Sequence, residues 1–172
     1  KMPQACIVNN PETYQQMLAH LSAQDTIAID TESNSLHAYH ERVCLIQLSS
    51  PTADFLVDPF VFDNLDELGK LFSREDIQKV FHAGDYDIGC LNLAFDFTFH
   101  NVFDTMLAAT ALAEPNLGLA ALLEKYFGII LDKKYQRANW GERPLKAEML
   151  SYAQCDSHYL IPLRDTLLPQ LE

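Results

Sequence analysis

Long apolar runs, paired cysteines and a surplus of basic residues are all missing from this 172-residue sequence. No uninterrupted apolar stretch approaches the ~18 residues a membrane span needs, and no basic-then-apolar leader precedes the first strand-like segment. A soluble, cytoplasmic protein without a membrane partner is expected. The cysteines at 6, 44, 90 and 155 form no CxxC pair, and no His or Cys stands at zinc-ligand spacing. That excludes a disulfide framework and a structural zinc site and leaves reduced thiols as the expectation. Linkers and internal repeats are absent too, so residues 1–172 fit a single domain with a sizeable core. Twelve Lys and Arg against 24 Asp and Glu give a net charge of −12, which at first sight argues against a nucleic-acid partner, because phosphate contacts need cations. Yet Lys125, Lys133, Lys134, Arg137, Arg143 and Lys146 fall in one short segment. They form either a phosphate-facing edge or a solvated helical face.

Acid in a particular place is what the sequence does have. Thr26-Ile-Ala-Ile-Asp-Thr-Glu32 reads as a buried strand, with Ile27 and Ile29 alternating. Residues two apart on a strand point the same way. Asp30 and Glu32 therefore stand side by side and repel unless a proton or a cation lies between them. Such a pair suits a hard divalent ion. The alternative is that one carboxylate caps the next helix and the other is solvated.

The remaining elements follow from period and punctuation. Cys6 to Val8 is a short strand; Asn10 caps a helix that has Pro11 at its first position and Tyr14, Met17, Leu18 and Leu21 on its apolar face. The acidic strand and the strands at 43–48 and 54–57 suggest an antiparallel meander. After it, helix at 65–72, strand at 77–81 and helix at 86–95 indicate a mixed sheet with helices on its faces. Helices are expected at 102–112, at 117–127 up to Gly128, and at 146–168. Tyr135 to Leu145 is a long irregular stretch of the kind that is often functional.

Two further acidic elements join the first. In His82-Ala-Gly-Asp-Tyr-Asp-Ile88 a strand turns into a helix; Asp85 is placed to be the N-cap, whereas Asp87 lies on the first turn facing the sheet, where a carboxylate needs a partner. In Ser151-Tyr-Ala-Gln-Cys-Asp156, Tyr152 and Asp156 share one helix face. Asp30, Glu32, Asp87 and Asp156 are the inventory of a two-metal hydrolase, whose ions sit roughly 4 Å apart, activate water and take up charge on the leaving oxygen. A phenol with a pKa near 10 is a poor base, so Tyr152 is assigned to orienting the attacking water.

These three motifs resemble those of the DEDD exonuclease superfamily, in its tyrosine-containing, ribonuclease D-like subgroup. The likeness extends to Val43-Cys-Leu-Ile-Gln-Leu-Ser49, Val102-Phe-Asp-Thr105, Leu119-Ala-Ala-Leu-Leu-Glu-Lys-Tyr126 and Tyr135-Gln-Arg-Ala-Asn-Trp-Gly-Glu-Arg-Pro-Leu145. It implies a ribonuclease H-like α/β fold, an antiparallel meander plus parallel strands flanked by helices. It also implies metal-dependent 3′-5′ exonuclease activity, releasing nucleoside 5′-monophosphates from single-stranded RNA, or else DNA, with a free 3′ end. The alternatives are a DNA exonuclease of the proofreading kind and a silent nucleic-acid-binding module. Carried over, Asp30, Glu32, Asp87 and Asp156 hold two divalent cations, Mg2+ or Mn2+, and Tyr152 positions water, with Asp85 the alternative second-motif acid. Thr31, Leu36, His37 and His82 are the candidate substrate contacts; for His82 a satisfied core histidine is the alternative. Trp140 is expected to pack its loop and Asp104 to cap a helix. Ribonuclease D carries helical nucleic-acid-binding domains after this point, so weak grip and a preference for short, unstructured strands are expected.

Overall fold

The acidic strand, β2 (Thr26–Ser33), runs through the middle of a six-stranded sheet in the computed structural model, which describes residues 2–34 and 40–172. Its partners are β1 (Cys6–Val8), β3 (Val43–Ser49), β4 (Asp54–Val57), β5 (Gln78–Phe81) and β6 (Val102–Asp104), in the order β1-β4-β3-β2-β5-β6. The pairs β2-β3 and β3-β4 are antiparallel, the expected meander. The pairs β1-β4, β2-β5 and β5-β6 are parallel, so the mixed sheet is borne out. Every residue of β3 is buried. A strand covered on both faces reads as a nearly continuous apolar run, as Val43-Cys-Leu-Ile does.

Helices α1 (Pro11–Ser22), α2 (Asp66–Phe72) and α3 (Asp85–Phe95) cover one face, packing Met17, Leu68, Phe72 and Leu91 on Ile27, Ile29, Ile46 and Leu48. On the other face lie α6 (Ala147–His158) and α7 (Leu160–Leu167), with α4 (Thr105–Ala111) and α5 (Leu119–Phe127) packed on α7. The start of α1 is as read from the sequence: the Asn10 side chain accepts from the Thr13 backbone N–H at 2.8 Å, with Pro11 at the first position. Gly128, at φ +68°, ends α5 in the left-handed region that glycine enters without strain.

Three expectations are corrected. Residues 102–104 are not the start of a helix but the edge strand β6, and the helix begins at Thr105. The long terminal helix is two, broken at Tyr159. Pro162 explains the break, because it has no N–H to offer the carbonyl of His158 and is tolerated only in the first turn of a new helix. Asp85 does not cap α3; the N-cap is Gly84, which has no side chain to bond the helix. The carboxylate of Asp104 takes over, accepting from the backbone N–H groups of Ala83 at 3.0 Å and Gly84 at 2.8 Å while capping α4 through Met106 N–H at 2.9 Å. A Cβ at Gly84 would come within 2.4 Å of the Phe81 Cβ, so the close approach of this turn to β5 requires glycine.

Candidate active site

Alternation along β2 sends Ile27 and Ile29 into the core beneath α1–α3 and turns Ala28, Asp30 and Glu32 toward α6 and α7. Asp30 pairs in register with Gln47 on β3. The strand pairing shifts between Glu32 and Ser33, which ends the regular ladder just past the second acid. Opposite them, α6 presents Tyr152 and Asp156 one turn apart. One oxygen from each of Asp30, Glu32 and Asp156 lies within 4.8 Å of the others. The Gln47 amide donates to Glu32 Oε1 at 3.2 Å and fixes that carboxyl.

Asp87 arrives from the opposite face. Thr31 points the other way from its two acidic neighbours, and its hydroxyl donates to Asp87 Oδ1. Asp87 is buried on the first turn of α3, where the positive helix end favours a carboxylate, whereas Asp85 is exposed. The buried acid of the second motif is thus Asp87, held at the margin of the three-carboxyl group.

One buried and three half-buried carboxyls in one place strain their own ionisation. Burial first, then the negative charges of Asp156, Asp87 and Glu32, hold the Asp30 carboxyl far above the ordinary carboxylate range. Glu32 is pushed up to about 9, by burial first and then by the charge of Asp156, to which it donates a hydrogen bond. Burial raises Asp156 and Asp87 to about 6 each, partly offset by hydrogen bonds from Glu32 and Thr31. The charges that act on Asp30 most strongly are those of other carboxylates. An all-oxygen, anionic donor set at this spacing fits a hard divalent cation.

The pH dependence has a definite sign. All four groups bind protons more tightly in the folded than in the unfolded chain, where they ionise near pH ~4. Their contribution to stability is intact below that pH and is lost as pH rises, through about 6 for Asp87 and Asp156 and about 9 for Glu32. A divalent ion would take the place of the protons. Mg2+ or Mn2+ is therefore expected to raise the melting temperature more at pH 8 than at pH 5 in a calorimetric scan. An increment independent of pH would disconnect the ion from these carboxyls.

Tyr152 is held by aromatic neighbours. Its ring lies 6.1 Å from that of Trp140, stacked at 28°, and 6.0 Å from that of Tyr135, edge-on. Burial, followed by the charges of Asp156, Glu32 and Asp30, drives the phenol upward from its ordinary pKa, so it stays neutral. Trp140 is buried and packs its loop, as expected. Tyr152 and Asp156 line a cleft of about 660 Å³ together with Leu119, Leu131, Lys133, Lys134 and Tyr135. Two of the six clustered cations therefore face the cleft. Lys125 instead pairs with Glu114 at 2.6 Å, and Arg143 with Asp58 and the carbonyls of Cys44 and Trp140.

The candidate substrate contacts fare differently. Leu36 and His37 lie outside the described residues. The Thr31 hydroxyl is engaged by Asp87 and is not offered to the cleft. His82 is the satisfied core histidine: Nδ1 is 2.8 Å from Thr105 Oγ1 and Nε2 is 2.8 Å from the Leu117 carbonyl oxygen. Sequence reading missed Gln47, although a lone amide at an inward position of an otherwise apolar strand is a signal for a buried polar partner.

A family model described as 3′-5′ exonuclease matches residues 6–172. The chain belongs to the 3′-5′ exonuclease family. Among its relatives this exonuclease chain is 35% identical to the exosome complex component 10 homolog of Caenorhabditis elegans over 96% of its length. It is 36% identical to the exosome complex exonuclease RRP6 of Saccharomyces cerevisiae over 95%. It spans 19% and 22% of those two proteins. Its fold superposes on the catalytic core of RRP6 from Trypanosoma brucei with a TM-score of 0.90 at 35% identity, covering 95% of this chain and 46% of the other. For Escherichia coli RNase D, an exoribonuclease involved in structured RNA processing, the TM-score is 0.91 at 27% identity, covering 98% and 45%. The ribonuclease H-like fold and the ribonuclease D-like family read from the motifs are both borne out. Among the described residues no helix is long and apolar enough to cross a membrane.

Proposed function

We propose that this chain is a single catalytic domain that hydrolyses single-stranded RNA stepwise from a free 3′ end, releasing nucleoside 5′-monophosphates. The observation that carries this reading is the convergence of Asp30, Glu32 and Asp156, with Asp87 beside them, next to a cleft that Asp156 and Tyr152 line together with Lys133 and Lys134. Asp30, Glu32 and Asp156 would hold one divalent cation, and Asp30 and Asp87 a second, Mg2+ or Mn2+. The ions supply acidity to water and neutralise charge on the leaving oxygen.

The remaining work falls to the chain's own side chains. Tyr152, neutral and clamped between two rings, orients the attacking water by a hydrogen bond. Lys133 and Lys134 attract the phosphates of the strand into a cleft whose floor would otherwise repel them. Leu119, Leu131 and Tyr135 offer apolar and aromatic surface to bases without choosing among them. The four free cysteines suit a reducing, cytoplasmic setting. The test is to incubate 5′-labelled single-stranded RNA and DNA with the protein and Mg2+ or Mn2+. A ladder shortening from the 3′ end with mononucleotide product, faster on RNA, is expected. Internal cuts, or no products at all, would remove the reading.

A further inference from the structure

Between the sheet and the last turn of α6 lies a buried hydrogen-bonded cluster that takes no part in the chemistry above. Its centre is Asp54, the first residue of β4, 3% exposed. The Asp54 carboxylate accepts from Ser49 Oγ at 2.6 Å and Gln154 Nε2 at 2.7 Å, and His158 Nδ1 lies 2.8 Å from its Oδ2. Ser49 Oγ is also 2.8 Å from Ser157 Oγ. Since the Ser49 proton is given to Asp54, Ser157 is the donor in that contact, and a proton on His158 Nδ1 completes the set. Gln154 donates as well to the carbonyl of Pro3 at 2.7 Å.

The spacing on the helix matters. Gln154, Ser157 and His158 stand at i, i+3 and i+4, one face of α6, and they bracket Asp156 along the axis. The earlier turns of the same helix meet the sheet through Met149 and Ala153, which are apolar. Apolar contact has no direction and lets a helix slide or turn by fractions of an ångström. Hydrogen bonds to a charged acceptor are short and directional, and two from this face to one carboxylate, with Ser157 tied to the same carboxylate through Ser49, fix both the rotation and the axial position of the helix. A residue rises only 1.5 Å along an α-helix, so such a fixture decides whether Asp156 meets Asp30 and Glu32.

We propose that Asp54 is a positioning residue: through Gln154, Ser157 and His158 it sets the register of α6 so that Asp156 and Tyr152 reach the acids of β2. This inference rests on the exonuclease reading of that site. Asp54→Asn keeps the shape but turns one acceptor into a donor that faces donors. Calorimetry at pH 8 is expected to show Mn2+ binding about tenfold weaker than in the unmodified chain, as for partners outside a metal's own ligands. The kcat on single-stranded RNA should fall to a similar extent, with KM within about twofold. Leu68→Ala, in the core under the opposite face, should lose comparable thermal stability yet bind Mn2+ like the unmodified chain, which separates positioning from mere unfolding. Should Asp54→Asn not fold, Ser49→Ala removes one of the bonds at small cost in volume and should weaken Mn2+ binding by about threefold. Unaltered Mn2+ affinity and kcat in folded Asp54→Asn, or in Ser49→Ala where that variant stands in for it, would overturn the proposal. Failure of the unmodified protein to shorten RNA would sink the exonuclease reading instead, while the Mn2+ measurement would still decide the role of Asp54.

Discussion

Asp30→Asn is expected to lower the rate of 3′-end hydrolysis by ~1000-fold or more, about 4 kcal/mol of lost transition-state stabilisation. In the proposed site Glu32 and Asp156 lie on the side of β2 that Asp30 faces and Asp87 arrives from the other, and Asp30 is the acid that would be shared by two ions. An amide there keeps the volume but removes a charge and half of the acceptor capacity. The same change relieves repulsion in the metal-free protein, because Asp30 is buried among three other carboxyls. Its melting temperature without metal at pH 8 is thus expected to equal or exceed that of the parent chain. A folded, stable and inactive Asp30→Asn protein is the predicted result, read by single-turnover cleavage and thermal scanning together. Turnover at the parental rate would remove Asp30 from the site.

Tyr152→Phe is the second large effect, a fall in kcat of about 100-fold, or roughly 2.7 kcal/mol. The stacking of its ring against Trp140 and Tyr135 stays available to phenylalanine, so only the hydroxyl is lost. Because the phenol stays neutral, its contribution is orientation rather than proton removal. The pH profile of kcat should keep its shape while its height drops, and Mn2+ affinity should stay within about twofold. A full-speed variant would give the water-orienting task to another group.

What could be read in the sequence, and what could not, divides along physical lines. The acids of β2 and α6 were legible because period-2 and period-3.6 patterns state which side chains share a face, and Asp87 stood out as a carboxylate on an inward turn. The helix cap at Asn10 and the meander were legible for the same reason, since their signals are local. The strand β6 was not: Val102-Phe-Asp is too short for its period to declare itself, and its pairing partner lies more than twenty residues away. The division of the terminal helix has its one local signal in Pro162, and the apolar pattern that continues on both sides of it masks that signal. Asp85 looked like a cap on local grounds, yet the turn before α3 is satisfied from Asp104, a contact across 20 residues that local rules do not contain. The role of Asp54 was invisible for a like reason, its partners on α6 being about a hundred residues distant.

The acids come to one point from both sides of the sheet, Asp87 riding on α3 and Asp156 on α6, with β2 as the only element they share. No hairpin, helix pair or half of the domain contains the set. On the proposed reading ion capture would therefore report complete assembly: a chain with either layer loosened would have nowhere to seat a metal and would stay inert toward nucleic acid. For an enzyme that would shorten any free end it met, this makes folding itself a safety catch.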